Sequence, residues 1–296
     1  MATVTTRSNA EKIFDSANYL FLILFSFTFI LPLLMVVMTS ITAESEVMRE
    51  GFKLWPSKFS LDAYHFIFSP DTLILRAAAT SVLSTVVGTV LNVMVTCMIA
   101  YGFSVETLPL KKPLMAYVLI TMFFSGGLIP TYLVYKELHL INSFWVLVLP
   151  ALLSPFNMLL VRNYFMSIPK SLKESARLDG AKELFVFFRI MLPLSTPILA
   201  TIGLFSAVAI WNDWTTPMFF SNGSKLINLQ YLLQRMMVRM ADIIGLTGSG
   251  IKVEEQMPSQ TVKMAVVVVA TVPIIMLYPF LQKYFISGIM VGSVKE

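Results

Sequence analysis

The sequence predicts an all-α integral membrane protein with six transmembrane helices and a cytoplasmic loop that folds as helix, bend and helix. Of its 296 residues 56% are apolar and 13% charged, with a mean hydropathy of +0.76; soluble domains are about 45–50% apolar and about 25% charged. The charged residues lie between six long uncharged stretches, each close to the roughly 20 residues that cross a bilayer. These stretches are continuous and do not alternate in short segments, which argues against β-barrel strands.

Charged residues set the limits of the spans, and the chain reads as a single transmembrane domain over residues 1–296. The predicted spans are residues 17–40, 77–105, 113–135, 140–161, 192–212 and 264–282. The first stretch is longer than the apolar region of a signal peptide, about 7–15 residues, so we expect a retained helix. Six spans place both termini on the same side of the membrane.

Lysine and arginine favour cytoplasmic termini. With the N-terminus inside, the inner segments contain twelve of the 22 basic residues and seven of the 17 acidic ones. The outer segments then have ten of each, so the net positive charge lies inside. The count of basic residues alone, twelve against ten, is a small preference, because two long outer loops dilute the positive-inside rule. The loop after the fourth span contributes six of the inner basic residues.

The composition argues against several functional classes. One cysteine, Cys97, and two histidines, His65 and His139, form no disulfide framework and no His/Cys metal cluster. There is no basic run of five or more residues that would indicate nucleic-acid binding, and no Walker A pattern for a nucleotide. The spans contain no ionisable residue of the kind that ion-coupled carriers generally need. Energy for active transport would therefore have to come from another subunit.

Residues 167–191 form the most strongly patterned loop. Ser171 and Glu174 have the spacing of a capping box, and Gly180 stands where a glycine ends a helix. A second helix is expected over residues 181–190. The alternative is an amphipathic helix resting at the membrane interface.

The spacing in this loop resembles the EAA loop of ABC importer permeases, E-A-A-x3-G-x9-I-x-L-P. The matching positions are Glu174, Ser175, Ala176, Gly180, Ile190, Leu192 and Pro193. Only Ser175 departs from the pattern, one small residue replacing another. The segments TYLVYKELHLINSFWVLVLP, AVAIWNDW and QKYFISGIMVGSVKE also resemble carbohydrate-importer permeases similar to the second permease of the maltose importer. Within that group the likeness points to the branch that handles large oligosaccharides, including alginate and pectin fragments.

This resemblance implies a MetI-like ABC permease fold in a bacterial inner membrane. It implies a non-catalytic transport subunit, without a cofactor of its own, that pairs with a second permease as a heterodimer. Two ATPase subunits would bind ATP and Mg, and an extracytoplasmic sugar-binding protein would deliver the cargo. The loop of residues 167–191, which we call the coupling loop, would dock on an ATPase through the first four motif positions. Ile190, Leu192 and Pro193 would join it to the fifth span.

Two segments on the outer side are further candidates. Trp211, Asn212, Asp213 and Trp214 end the fifth span, where the indoles would serve as interfacial anchors or would stack on sugar rings along a substrate path. Residues 229–244 have apolar side chains at helical spacing, which predicts an amphipathic helix. It would lie on membrane lipid, cap the bundle or face the binding protein.

Two other functional classes remain open at this point. One is an ion-coupled secondary carrier that works alone, and the other is a membrane anchor subunit of an enzyme complex. Co-purification with an ATPase chain separates the permease hypothesis from both.

Overall fold

The computed structural model describes residues 9–70, 72–221, 226–247 and 259–289. Within these ranges the regular elements are helical. The β-type pairing of the backbone is an isolated antiparallel bridge between Thr42 and Phe59. The predicted all-α class is confirmed. The last residues of the C-terminal tail, 290–296, which carry part of the sequence resemblance, lie outside the described residues.

The helices of the described residues are numbered in chain order. They are α1 (Asn9–Ser40), α2 (Glu44–Glu50), α3 (Asp62–Ile67), α4 (Leu73–Ser104), α5 (Lys111–Phe123), α6 (Leu128–Glu137), the 3-10 turns Phe144–Leu147 and Leu149–Ala151, α7 (Pro155–Ser167), α8 (Lys170–Leu178), α9 (Glu183–Val186), a π-helical turn Phe187–Met191, α10 (Leu192–Leu194), α11 (Thr196–Trp211), α12 (Thr215–Phe220), α13 (Leu229–Thr247) and α14 (Gln260–Ile289).

The described residues provide up to six membrane spans. Three are single helices long and apolar enough to cross a bilayer: Glu11–Ser40, Leu73–Ser104 and Gln260–Leu277. Three more are obtained when each of three bent helix pairs is taken as one span. The number agrees with the six spans expected from the sequence.

The third predicted span, residues 113–135, is interrupted. Helices α5 and α6 meet at an angle of 118°. Between them Gly127 has φ 82° and ψ −179°, a backbone region that only glycine occupies at low cost. The chain therefore turns sharply in the middle of an apolar segment that contains no charge to mark the turn.

The fourth and fifth predicted spans are bent pairs as well. Residues 144–151 and α7 meet at 47°, and the segment Glu183–Leu194 meets α11 at 82°. Residues 192–194, which the sequence placed at the start of the fifth span, continue the helical segment of the coupling loop. The following helix, α11, begins only at Thr196, next to Pro197 at a position where proline suits a helix start.

The chain divides into two compact units, residues 70–251 with 270–296 and residues 1–69 with 252–269. In the larger unit α4 packs against α7 and α11. Their contact is an apolar core that includes Cys97, Met158 and Ile202. The coupling loop adds Val186, Phe187 and Met191 to that same core.

In the smaller unit two carboxylates hold the segment that follows α1. Glu44 accepts the backbone N–H groups of Gln260 and Thr261, both at 2.9 Å. Glu46 is buried and accepts the backbone N–H groups of Ser57 (2.8 Å) and Lys58 (2.7 Å). Glu44 thereby satisfies unpaired donors at the start of α14, as a capping side chain does.

Several apolar helices have little of the described chain against them. No residue in the most apolar window of α1 is buried, and within the described chain α5 and α6 also have no buried residue. Apolar surface of this extent requires lipid or another subunit as its neighbour.

Candidate functional site

The first half of the coupling loop is the helix α8, and it begins earlier than the capping-box pattern predicts. Pro169 precedes it with φ −52° and ψ 129°, and Lys170 is its first residue; its first turn has no side-chain cap. The predicted capping box is therefore wrong, because Ser171 already lies inside the helix. Proline before the first turn sets the extended entry to α8 in its place.

Gly180 ends α8 with the hydrogen bonds of a Schellman motif. The N–H of Ala181 donates to the carbonyl of Ala176 (2.9 Å), and the N–H of Gly180 donates to the carbonyl of Arg177 (3.0 Å). Gly180 has φ +82°, the left-handed conformation that this motif requires and that glycine adopts without strain. The glycine bend expected from the sequence is confirmed.

The second half of the coupling loop is longer and less regular than expected. The predicted helix over residues 181–190 begins at Glu183 and continues through the π-helical turn Phe187–Met191 to Leu194. A π turn is a local bulge in a helix and is frequent at functional sites. It carries Ile190, and Leu192 and Pro193 follow directly after it, so these motif positions lie at the junction with α11.

The coupling loop has an inner and an outer face. On the inner face four side chains pack against the apolar core of the bundle: Ala176, Ala181, Ile190 and Leu192. On the outer face Glu174 and Ser175 are exposed, and so are three large apolar side chains, Leu178 (88%), Leu184 (66%) and Phe185 (54%). The small side chain of Ala176 therefore permits close packing of the coupling loop on its own bundle. The exposed apolar side chains lie around the glycine bend.

A polar contact crosses the bend and reaches the end of α4. Arg177 in α8 donates from Nε to Oε1 of Glu183 at 2.8 Å, and its Nη2 lies 2.7 Å from the same oxygen. The other carboxylate oxygen, Oε2, accepts the hydroxyl of Tyr101 at 2.6 Å. Both halves of the coupling loop are thereby connected to α4.

A cleft of about 170 Å³ lies between α8 and the segment that follows α4. Lys170 pairs there with Glu106, and this pair holds the pKa of the Glu106 carboxyl below its usual value. Lys173 is half-buried and donates to the carbonyl of Phe165 at 3.3 Å. Burial, with Arg177 nearby, lowers the pKa of Lys173.

The four candidate substrate-path residues have different surroundings. Trp211 is 7% exposed, and its indole N–H donates to the carbonyl of Ala270 in α14 at 3.0 Å. Asn212 and Trp214 are exposed. One carboxylate oxygen of Asp213 accepts the N–H groups of residues 215 and 216, both at 3.0 Å, which caps the start of α12.

The predicted amphipathic helix is present as α13, and the structure shows what fixes its start. Asn228 accepts the N–H of Tyr231 (2.9 Å) as an N-cap, and Ser81 of α4 accepts the N–H of Leu229 (2.7 Å). Leu229 and Leu232 are buried. The start of this helix is therefore held against the bundle.

Sequence reasoning missed Tyr101 and Glu183. Neither is a motif position, and the two are 82 residues apart in the chain. The signal that was available is chemical: a tyrosine at the end of an apolar span is expected to find a polar partner. No cluster of three or more metal-ligating side chains occurs among the residues that the structure describes.

Bent apolar helices around a packed core, with one polar loop folded back onto that core, fit a membrane permease subunit. The family described as binding-protein-dependent transport system inner membrane component matches residues 2–291, and the chain belongs to this family. This membership confirms the resemblance to ABC importer permeases. It also confirms that the chain is a non-catalytic transport subunit. It decides against the lone ion-coupled carrier and the enzyme anchor.

Relatives align over almost the full length. The chain is 43% identical to the polygalacturonan/rhamnogalacturonan transport system permease protein YtcP of Bacillus subtilis, over 96% of this chain and 99% of that one. It is 40% identical to protein LplC of the same organism, over 100% of both. It is also 29% identical to the arabinooligosaccharides transport system permease protein AraQ of Halalkalibacterium halodurans, over 91% of this chain and 92% of that one.

A solved structure matches as well. A chain in the crystal structure of a bacterial ABC transporter involved in the import of the acidic polysaccharide alginate superposes with a TM-score of 0.83 at 28% identity. The match covers 95% of this chain and 100% of that chain.

Proposed function

We propose that this chain is one of two permease subunits of an ATP-binding-cassette importer that carries an acidic oligosaccharide, such as a pectin or alginate fragment, into the cytoplasm. Two ATPase subunits bind ATP and Mg and dock on the coupling loops, and an extracytoplasmic binding protein delivers the sugar. The second permease is a different chain, which makes the pair a heterodimer. Both termini lie in the cytoplasm.

The observation that carries this proposal is the outer face of the coupling loop. A rigid turn closed by a Schellman motif presents Leu178, Leu184 and Phe185 to solvent next to the exposed Glu174. Large apolar side chains grouped on an otherwise polar turn favour burial in a partner protein. The EAA spacing supports the ATPase as that partner. The inner face meanwhile packs on α4, α7 and α11, so movement of the partner reaches the spans.

The nature of the cargo rests on the relatives. The names of two of them include a pectic polymer and an arabinooligosaccharide, and the matching crystal structure belongs to an alginate importer. Two of these three cargoes are acidic polysaccharides. The exposed Trp214 and Asn212 fit a sugar path, since aromatic rings stack on sugar rings and amides bond to hydroxyls.

A labelling experiment tests the docking site and the orientation together. Leu178→Cys should react with a membrane-impermeant maleimide only from the cytoplasmic side, and should lose that reactivity when the ATPase subunits are co-expressed. Met48→Cys, 73% exposed in α2, is the matched control and should react from the outside with or without ATPase. Native Cys97 is buried and can stay. Labelling of Leu178→Cys from outside intact cells would contradict the proposal.

Gly180→Pro tests the bend itself. Proline cannot adopt φ +82° and removes the N–H that donates to Arg177, so the Schellman motif is lost. We expect the variant complex to keep sugar delivery by the binding protein but to hydrolyse ATP without uptake. Gly180→Ala keeps the N–H and costs about 1–2 kcal/mol of backbone strain, so it should show a partial defect. Normal uptake by the proline variant in reconstituted vesicles would refute the assignment.

A further inference from the structure

We propose that Tyr101, Arg177 and Glu183 form a strut that fixes both halves of the coupling loop to α4 and transmits ATPase movement to the spans. The proposal rests on the function proposed above and goes one step further, because the EAA spacing gives these three residues no role. They act as positioning residues.

The two carboxylate oxygens of Glu183 accept hydrogen bonds from two different residues. Oε1 of Glu183 accepts from Arg177 at 2.8 Å, and Oε2 accepts from Tyr101 at 2.6 Å. Both distances lie in the range of charge-assisted hydrogen bonds, which are about twice as strong as neutral ones. One carboxylate thereby holds α8, the segment after the bend and α4 in a single arrangement.

The α4 end of the strut is rigid. Tyr101 is 9% exposed, and its ring packs against Phe165 of α7 and Phe187 of the π turn, with centroids 6.2 Å and 5.2 Å away. The hydroxyl therefore has a fixed position and cannot follow Glu183 if the coupling loop moves alone. Loss of the carboxylate would leave a hydroxyl on a buried ring without this acceptor, which costs more than an exposed pair contributes.

A second contact between α8 and the end of α4 provides the comparison. Lys170 and Glu106 also pair across this gap, but their side chains are 68% and 72% exposed. Exposed pairs contribute little because water screens them and both side chains lose freedom. The Arg177–Glu183 pair is also exposed, at 43% and 54%. The strut differs from the Lys170–Glu106 pair because its carboxylate also accepts a hydrogen bond from the buried Tyr101.

The test uses the complete importer, with the second permease, the ATPases and the binding protein, reconstituted in vesicles. ATP hydrolysed per sugar imported should rise about tenfold in Tyr101→Phe and in Glu183→Gln, which corresponds to about 1.4 kcal/mol of lost coupling. The double variant should be no worse than either single one, since the two residues act as a unit. The amount of ATPase that co-purifies should stay at the level of the wild type.

Two control variants remove similar groups outside the strut. Tyr117→Phe deletes an exposed hydroxyl on α5, and Glu106→Gln deletes the exposed pair; both should keep the wild-type ratio. An unchanged ratio in Tyr101→Phe overturns the strut, as does a loss of uptake that parallels a loss of folded protein. If no ATPase co-purifies with the wild-type chain, the proposed function fails first and the strut fails with it.

Discussion

Asn92 is a buried polar side chain inside the apolar bundle of the larger unit, and its partners lie far away in the chain. Asn92 of α4 donates to the carbonyl of Ala151 at 2.6 Å and accepts the hydroxyl of Ser206 at 2.6 Å, and these partners are 59 and 114 residues away. The sequence shows that an asparagine in an apolar span needs such partners. It does not show which ones, because the pairing depends on helix packing. In the structure Asn92 connects packed helical segments through these hydrogen bonds.

Trp211 and Trp214 give a residue-level test of the two roles considered for this pair. Trp211→Phe removes the indole N–H that bonds to Ala270, and we expect a loss of about 1–2 kcal/mol in stability. Trp214 is 37% exposed, so Trp214→Phe should leave the melting temperature unchanged. Thermal unfolding of the two purified variants in the same detergent measures this. A melting temperature for Trp211→Phe equal to that of the wild type would contradict the burial argument.

If Trp214 stacks on sugar, the phenylalanine variant should weaken sugar-stimulated ATP hydrolysis by the importer. If sugar-stimulated ATP hydrolysis is unchanged, Trp214 acts as an interfacial anchor and not as a sugar contact.

Glu46 provides a pH dependence with a defined sign. The backbone N–H groups of Ser57 and Lys58 hold the pKa of this buried carboxyl below its usual value, with Ser57 the larger cause. The stabilisation is therefore present above the unfolded pKa of about 4.3 and is lost as the pH falls through the lower folded value. Glu46→Gln should lower the melting temperature at pH 7 and flatten its decline in acid. Glu137→Gln, which changes an exposed residue of α6, should keep the wild-type profile.

For the helices, the sequence predicts where the apolar stretches lie but not the angles between successive helices. Residues 113–135 are uncharged throughout and predict one span, yet α5 and α6 diverge by 118°. The glycines between them signal a break, but its direction depends on the backbone angles of residues 124–127, which include the extended Phe124 and the positive φ of Gly127. For the coupling loop the glycine bend was predictable from a local pattern. The π turn and the contact with Tyr101 were not, because they depend on packing against α4 and α7.

Adjacent glycines allow the α5–α6 turn to be tested with a matched pair. Gly127→Ala forces a side chain into a region of φ and ψ used almost only by glycine, so we expect a cost of about 1–3 kcal/mol. Gly126→Ala should be tolerated, since its added carbon would meet Pro130 at an ordinary 3.6 Å. Thermal unfolding and expression level of the two variants measure the difference. Equal stability would show that the turn is not fixed by Gly127.

For the whole molecule, the arrangement of exposed apolar surface indicates a subunit and not a complete transporter. Within the described chain no residue is buried in the most apolar window of α1, or anywhere in α5 and α6. Such surfaces need lipid or another subunit as a neighbour, which agrees with the second permease proposed above.

Co-expression tests this at the same scale. We expect the chain purified alone in detergent to have a lower melting temperature than the same chain purified with the proposed second permease. A partner that binds only the folded state stabilises that state. Both preparations use the same tagged chain, the same detergent and the same protein concentration. An equal melting temperature in both preparations would argue against a permanent pair.

The bend of 82° before Thr196 has a mechanical meaning. The arm from Glu183 to Leu194 has 12 residues, about 18 Å at 1.5 Å each, and it stands almost perpendicular to α11. A sideways push of about 3 Å at the far end of that arm therefore equals a twist of α11 by roughly 10° about its own axis. In the importer proposed above, a small sideways movement of the coupling loop would thus become a rotation of α11.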